Sequence, residues 1–460
     1  MSRKKRNKKE NFGTSDIESR EIFEQSPHVI LARKITKDFH FQTLKDTEEI
    51  LVYEDGIYKE GAEVLIKEQC QKLMGTCDTS ICKETINTIK RLSYIPRDAF
   101  DSDPKILNVK NGLLNLETGE LKEHTPDYPS RIQLSVPHNP KAKPERFMEF
   151  LMSSLPDHKD RTTVLEEFAS ILCPHLNLEL IYVHLGEGAN GKSTLFFVIE
   201  VFFGEDNVSN TSIHDLVDNK FARADLDGKC VNLYADIESD ELKKMGLLKA
   251  LASQDTMQAE KKFKNTFKLK NKARLFFSAN RLPKLNDNSD GAYRRFIVTE
   301  WKVKFRSEVD GIGQKKNPNL KFELTTEEEL SGILNLLIKV RKRLVSQKRL
   351  TYERSIAEMR EEWQKKSDPI PKFIEECLVE DIEALAPKKI TQIIYKRWCK
   401  KYNIMPESQA TFNKELKKNV RVESKTSRMD GKPTKVWKGI SLNPNSEVVT
   451  EVTDVTSFTI

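Results

Sequence analysis

Apolar residues fall into short continuous runs in the middle of the chain and into helical spacing on either side of it. Ile181, Tyr182, Val183 and Leu185 form a strand-like run that ends at Gly186. From Leu195 to Phe203 the chain is apolar almost all round (Leu195, Phe196, Phe197, Val198, Ile199, Val201, Phe202, Phe203), which predicts a buried helix. Residues 229–238 read as a second strand that closes on Asp236 and Glu238. Residues 273–280 read as a third, closing on Asn280, and Phe296, Ile297 and Val298 as a fourth. Helical spacing appears at Phe147, Phe150 and Leu151, and at Val164, Leu165, Phe168, Ile171 and Leu172, where Pro174 stops it. It returns from Leu330 to Leu344. Buried strands that alternate with helices predict an α/β core.

The flanks are patterned differently. Ile50–Lys59 alternates and turns at Asp55-Gly56, a hairpin signal. Residues 62–74 and 80–92 have helical period, and Val109–Leu121 reads as two short strands. Pro126, Pro129, Pro137, Pro140 and Pro144 make the next stretch an extended strap. Downstream, 351–366 is a charged helix and Asp368-Pro369-Ile370-Pro371 marks a boundary. Beyond it, Ile390–Tyr402 and Gln409–Lys418 read as helices, and Arg421–Leu442 as two strands around Asp430-Gly431. Two helices and a lysine-rich hairpin resemble a winged helix-turn-helix, with protein docking as the alternative role. The expected division is a disordered basic tail (1–27), an N-terminal α+β domain with its strap (28–144), the α/β domain (145–350), a linker helix with the small domain (351–442), and a disordered tail (443–460).

Composition narrows the class. The chain has 460 residues, room for several domains, and a net charge of +7 with 32% charged residues. Its 7 cysteines are odd in number and lack C-x-x-C pairing, which suits a reducing compartment and a cytoplasmic location. Cys70, Cys77 and Cys82 cluster, yet no fourth ligand stands at a zinc-like spacing, so they read as ordinary buried thiols. No run is long and apolar enough to span a bilayer. The basic N-terminus has no hydrophobic segment behind it, so it does not read as a secretory signal.

The candidate chemistry sits at the ends of the apolar runs. Gly186, Glu187, Gly188, Ala189, Asn190, Gly191, Lys192, Ser193 and Thr194 have the P-loop spacing G-x-x-x-x-G-K-S. Glycines let backbone N–H groups turn inward around phosphate oxygens. Lys192 would reach the β- and γ-phosphates of ATP, and Ser193 would offer its hydroxyl to Mg2+. Asp236 and Glu238 point to one side of a strand end, where one could hold Mg2+ and the other orient the attacking water. Lys261, Lys262, Phe263 and Lys264 open a lysine-rich stretch with interleaved aromatics, suited to phosphate neutralisation and base stacking; a solvated edge hairpin is the alternative. Asn280 could sense the γ-phosphate. Arg294 or Arg295 could neutralise transition-state charge on a neighbour's ATP, the other serving as a structural ion pair.

This ordered set resembles the superfamily 3 helicase core of phage and plasmid primase-helicases, related to the poxvirus-type primase-helicase. Asn108–Leu121 and the proline strap resemble the domain that precedes this core, and Tyr395–Trp398 with Trp437–Ile440 resemble its terminal winged-helix region. The resemblance implies an AAA+-type ATPase that assembles as a ring, usually a hexamer, around single-stranded DNA. By that resemblance Lys192 and Ser193 bind phosphates and Mg2+, and Asp236 and Glu238 fill the acidic motif. Asn280 becomes the sensor, Lys262, Phe263 and Lys264 lie on a pore hairpin, and Arg294 or Arg295 is the trans-acting finger. Ile237 splits the acids, which leaves the water-orienting residue open. Residues 1–100 show no acidic polymerase triad, so the expectation is a helicase without its own primase, working on single-stranded and forked DNA beside a separate primase. A replication initiator or loader that uses ATP only to assemble is the alternative, and a small-molecule kinase a weaker third.

Overall fold

The computed structural model describes residues 26–456, apart from 238–240, 263–265, 307–313, 403 and 430. The N-terminal unit begins with α1 (Pro27–Asp38), which starts on a proline whose missing N–H costs nothing at that position. Strands β1 (Phe41–Leu44), β2 (Ile50–Glu54) and β3 (Ile57–Lys59) follow, then α2 (Ala62–Met74), α3 (Thr79–Leu92) and β4 (Tyr94–Ile95). The sheet order is β3-β2-β1-β4. Asp55 and Gly56 both have positive φ, 49° and 90°, the turn that a two-residue hairpin favours. A second small sheet, β5 (Ile106–Val109), β6 (Gly112–Asn115) and β7 (Leu121–Lys122), leads into the proline strap.

The centre is a parallel sheet sandwiched by helices. Its strands are β8 (Ile181–Leu185), β9 (Val208–Ser209), β10 (Val231–Tyr234), β13 (Arg274–Ala279) and β14 (Phe296–Glu300), in the order β14-β8-β13-β10-β9. The hairpin β11 (Thr256–Glu260) and β12 (Thr266–Lys270) stands apart from this sheet. Central β8 is buried on both faces, which explains its continuous apolar run. Tyr182 joins the core under α4 (Glu145–Ser154), α5 (His158–Ile171), α6 (Lys192–Phe203) and α7 (Glu327–Gln347). Ile181, Val183 and Leu185 join the opposite core, which also takes in Leu248, Phe267 and Phe277. Phe267, an aromatic interleaved in the lysine-rich stretch, is therefore a core residue.

The strap crosses to α7. Asn139 N–H donates to Ser331 Oγ at 2.8 Å, and Asn335 Nδ2 donates to the carbonyls of Asn139 and Ala142 at 2.8 and 3.0 Å. Gly332 is the contact point: a Cβ there would lie 2.3 Å from the Lys143 carbonyl carbon.

After α8 (Ile356–Ser367) comes a C-terminal unit in the order α9 (Pro369–Cys377), β15 (Leu378–Pro387), α10 (Lys388–Lys401), α11 (Gln409–Asn419), β16 (Glu423–Met429) and β17 (Lys432–Leu442). Its sheet order is β15-β17-β16. The C-terminus departs from the sequence expectation. Residues 447–456, read as part of a disordered tail, form helix α12 (Glu447–Thr456). Val448 and Val449 are buried in the same core as Trp398 and Trp437. Two adjacent apolar positions are too short a signal for periodicity to detect.

The Gly332 contact is testable. Gly332→Ala forces a methyl against strap backbone and should destabilise the protein by about 1–3 kcal/mol. A thermal melt would show it; an unchanged midpoint would mean that the strap does not press on α7.

Candidate functional site

The turn from β8 into α6 is built around missing side chains. Gly188, Ala189 and Gly191 have φ of 62°, 49° and 102°. A Cβ on Gly186 would lie 2.3 Å from Asn190 Nδ2 and 2.6 Å from the Trp301 carbonyl oxygen. One on Gly191 would lie 2.9 Å from Ser154 Oγ. Trp301 closes the turn from behind: its N–H donates to the Leu185 carbonyl at 2.8 Å, and its own carbonyl accepts from Asn190 Nδ2 at 3.1 Å. Phe305 N–H donates to the Ala189 carbonyl at 2.7 Å. Glu187, Gly188, Ala189 and Ser193 are exposed, while Asn190 and Lys192 are buried. Around Gly188 the space that a Cβ would take is open.

Lys192 is 5% exposed, and its ammonium donates to the Gly186 carbonyl. Burial lowers its pKa to about 8, and Asp236 pulls it back upward. Asp236 follows β10 with φ 69°, a left-handed conformation uncommon outside glycine that aspartate tolerates better than most side chains. Asn280, just past β13, donates from Nδ2 to Asp236 Oδ1 at 2.9 Å. Lys192, Asp236 and Asn280 thus meet beyond the C-terminal ends of three neighbouring parallel strands. Glu238, the other expected acid, lies outside the described residues.

A buried layer behind the turn carries no signal in the sequence. Trp301 Nε1–H donates to His184 Nδ1 at 3.0 Å, so the imidazole proton resides on Nε2. That nitrogen faces Glu167 Oε2 at 3.3 Å, and Thr299 Oγ1 donates to Glu167 Oε1 at 3.2 Å. Burial drives His184 down to about 3 and Glu167 up to about 8. Both are neutral at pH 7, as burial without a cationic partner demands.

The arginines lie elsewhere. Both precede β14, level with the start of β8, so the length of that strand, roughly 17 Å, separates them from the turn. Arg295 is held inside the molecule. It is 8% exposed, donates to the Gly291 carbonyl and to Ser253 Oγ at 2.7 Å, and lies 3.3 Å from Glu179. Arg294 is exposed and pairs with Glu179 at 2.7 Å.

The lysine hairpin also divides. Lys261, expected among the DNA contacts, is neutralised by Glu60 at 3.1 Å and Glu49 at 3.5 Å of the N-terminal unit. Lys262 is exposed, as are Lys268 and Lys270 along β12. Phe263 and Lys264 lie outside the described residues. Near the hairpin's turn, where Phe267 pairs with Ala259, the Arg97 guanidinium stacks 4.7 Å above the Phe267 ring and bonds Asp46 at 2.7 Å and Asp227 at 2.5 Å.

Comparison with known proteins adds three matched segments. Residues 18–155 match a family described as D5 N terminal like. Residues 184–295 match a family of unknown function (DUF5906), and residues 365–443 match one described as Poxvirus D5 protein-like. The chain is similar to viral proteins named as helicase and primase. The putative helicase L207/L206 of Acanthamoeba polyphaga mimivirus is 24% identical over 306 residues, 61% of this chain and 31% of that one. The putative primase C962R of African swine fever virus (isolate Warthog/Namibia/Wart80/1980) is 21% identical over 326 residues, 65% of this chain and 34% of that one. The chain thus spans about a third of the length of these relatives. In fold it is similar to the apo structure of the NrS-1 C-terminal region, with a TM-score of 0.50 at 15% identity over 90% of this chain and 100% of that one. No helix among the described residues is long and apolar enough to cross a membrane.

The buried layer makes a pH prediction. Folded Glu167 keeps its proton to about pH 8, whereas the unfolded chain releases it near the ordinary value of 4.5. Between those limits the folded state binds more protons, so its stability falls as pH rises, by up to about 1.4 kcal/mol per unit from this group. Urea unfolding of Glu167→Gln between pH 5 and 8 should show a shallower decline than the parent; parallel curves would refute the assignment.

Proposed function

We propose that this chain is an ATP-dependent DNA helicase of superfamily 3, with an AAA+-type core and a C-terminal winged helix. It would act in replication of a phage, plasmid or integrated mobile element, moving on single-stranded DNA as a ring, in the simplest case a hexamer. The convergence of Lys192, Asp236 and Asn280 at adjacent strand ends carries the reading. The strand order supports it, because the turn-bearing β8 sits inside the sheet with β13 and then β10 beside it. Similarity to viral proteins named as helicase and primase supports a place in replication.

The residues fit a nucleoside triphosphate with Mg2+. The open space at Gly188, the left-handed backbone at Gly188 and Ala189, and the buried ammonium of Lys192 make a cradle for an anion. ATP supplies the phosphoanhydride whose cleavage drives movement. Lys192 and the N–H groups at the start of α6 bind its phosphates. Ser193 and Asp236 would hold Mg2+. Asn280, tied to Asp236, holds that carboxylate in place and reads the site's occupancy. Asp236 or Glu238 orients the attacking water.

DNA would meet the hairpin tip at Lys262, Phe263 and Lys264. The exposed Arg294 is the better trans-acting finger, since Arg295 is committed inside its own chain. Forked DNA is the expected substrate and a separate primase the expected partner. The C-terminal unit favours a second reading, an initiator or loader without processive unwinding. Its α11 and β16–β17 hairpin present Lys414, Lys417, Lys418, Arg428, Lys432 and Lys435 in the arrangement of a recognition helix and wing. Strand separation of a forked duplex distinguishes the two.

Lys192→Ala should lower DNA-stimulated ATP turnover by about 10²–10³-fold without loss of fold by circular dichroism. Undiminished turnover would end the proposal. Phosphate prefers protonated Lys192, so the affinity for a non-hydrolysable ATP analogue should fall as pH rises through about 8, as calorimetry at pH 7 and 9 would show. Lys262→Ala should weaken single-stranded DNA binding and reduce the slope of log K against log salt by about 0.7. Fluorescence anisotropy across a salt series reads this directly, and an unchanged slope would remove Lys262 from the interface.

A further inference from the structure

The corner between α2 and α3 brings together the three thiols that cluster in the sequence without a fourth zinc-spaced ligand. Cys70 lies near the end of α2, Cys77 in the connecting loop and Cys82 in the first turns of α3. Their Sγ atoms all lie within 4.8 Å of one another, and Cys82 Sγ is 3.0 Å from Cys77 Sγ. Sulfurs that share a tetrahedral ion at about 2.3 Å stand about 3.8 Å apart, inside that spread. The loop is shaped to bring them together. Gly75, with φ 72°, ends α2, and Gln71 Nε2 reaches back to the Gly75 carbonyl at 2.5 Å. Cys82 N–H closes the first turn of α3 on the Asp78 carbonyl at 3.0 Å. Cys70 is fully buried, while Cys77 and Cys82 are half-buried, so one side of the cluster opens to water.

We propose that Cys70, Cys77 and Cys82 form a three-thiolate site for a soft d10 cation of the Zn2+ class, with water or an external ligand in the fourth position. Three S–H bonds release their protons to solvent, three metal–sulfur bonds form, and no atom changes oxidation state. Three thiolates at this separation repel one another, and a dication turns that repulsion into attraction. The site suits its surroundings. The N-terminal unit has a small core around Leu31, Ile35, Ile66 and Ile89. Small cores gain most from a staple across two helices.

The test uses the full chain, purified under reducing conditions and loaded with Co2+ or Zn2+. One ion per chain is expected by elemental analysis. Co2+ should give a near-ultraviolet sulfur-to-metal charge-transfer band. Peptide mapping after alkylation should show Cys70, Cys77 and Cys82 protected by Zn2+ and labelled after chelation. Cys77→Ser should weaken Zn2+ binding at least tenfold. The spectrum and the mapping use the unaltered chain, so they decide the matter even if the variant misfolds. Sub-stoichiometric metal, labelling indifferent to Zn2+, or a Cys77–Cys82 disulfide in freshly reduced protein would each overturn the site.

Discussion

Close packing of Trp301 against the turn after β8 is the contact on which the site depends. The turn cannot curl unless Gly186 and Gly191 lack side chains, because the Trp301 carbonyl and the Ser154 hydroxyl already occupy that space. Trp301 is in turn fixed by the Leu185 carbonyl, Asn190 and His184. Trp301 is 2% exposed, and its packing holds the turn against the strain of Ala189, which carries a side chain at a left-handed position between glycines that take theirs freely. The Lys192 ammonium is held near the loop as a consequence, partly stripped of water before any anion arrives. Its depressed pKa is the cost of that preparation, and an anionic ligand would reverse it.

The N-terminal unit is joined to the parallel sheet by more than surface contact. Arg97 reaches Asp46 in its own unit and Asp227 in the central domain, and its side chain is only 17% exposed. Exposed pairs contribute at most about 1 kcal/mol, whereas breaking a largely buried one leaves a stranded charge costing about 3–5 kcal/mol. Arg131 shares Asp227 at 3.3 Å, and the strap reaches α7 at Gly332. Phe267, under the Arg97 guanidinium, belongs to β12. The turn end of the lysine hairpin is therefore held against the N-terminal unit at Phe267 and Lys261, with Lys262 left exposed beside them.

Much of this was legible in the sequence because burial and strand ends write strong signals. Central strands read as unbroken apolar runs, and the P-loop spacing needs few residues to declare itself. Strand β15 escaped notice because Val379, Ile382 and Leu385 are exposed and a register shift between Asp381 and Leu385 breaks the alternation. The Glu167–His184–Trp301 layer was illegible for another reason: its members come from different elements, and only tertiary packing reveals such neighbours. The three thiols cluster in the sequence, but that their sulfurs meet where α2 turns into α3 is a fact of packing. Lys261 shows the converse failure. A basic run predicts a charged surface, yet which lysine is already neutralised depends on what stands opposite, here Glu49 and Glu60.

The two ends of the sheet now bear on each other. Arg294 and Arg295 stand at the start of β14, and the triad of Lys192, Asp236 and Asn280 stands beyond the strand tips. On the proposed reading one chain cannot bring them together, so a complete site requires a second copy. A link to the C-terminal unit begins at the triad itself. Arg281, next to Asn280, bonds Glu407 at 2.5 Å and the Met405 carbonyl at 3.0 Å, just ahead of α11. Asn280 cannot shift far without pulling on Arg281, because the two share a peptide bond and Arg281 is anchored at both contacts. A change at the Asp236–Asn280 bond therefore has a short mechanical path to α11, which gives the proposed sensor a second load to move besides the hairpin.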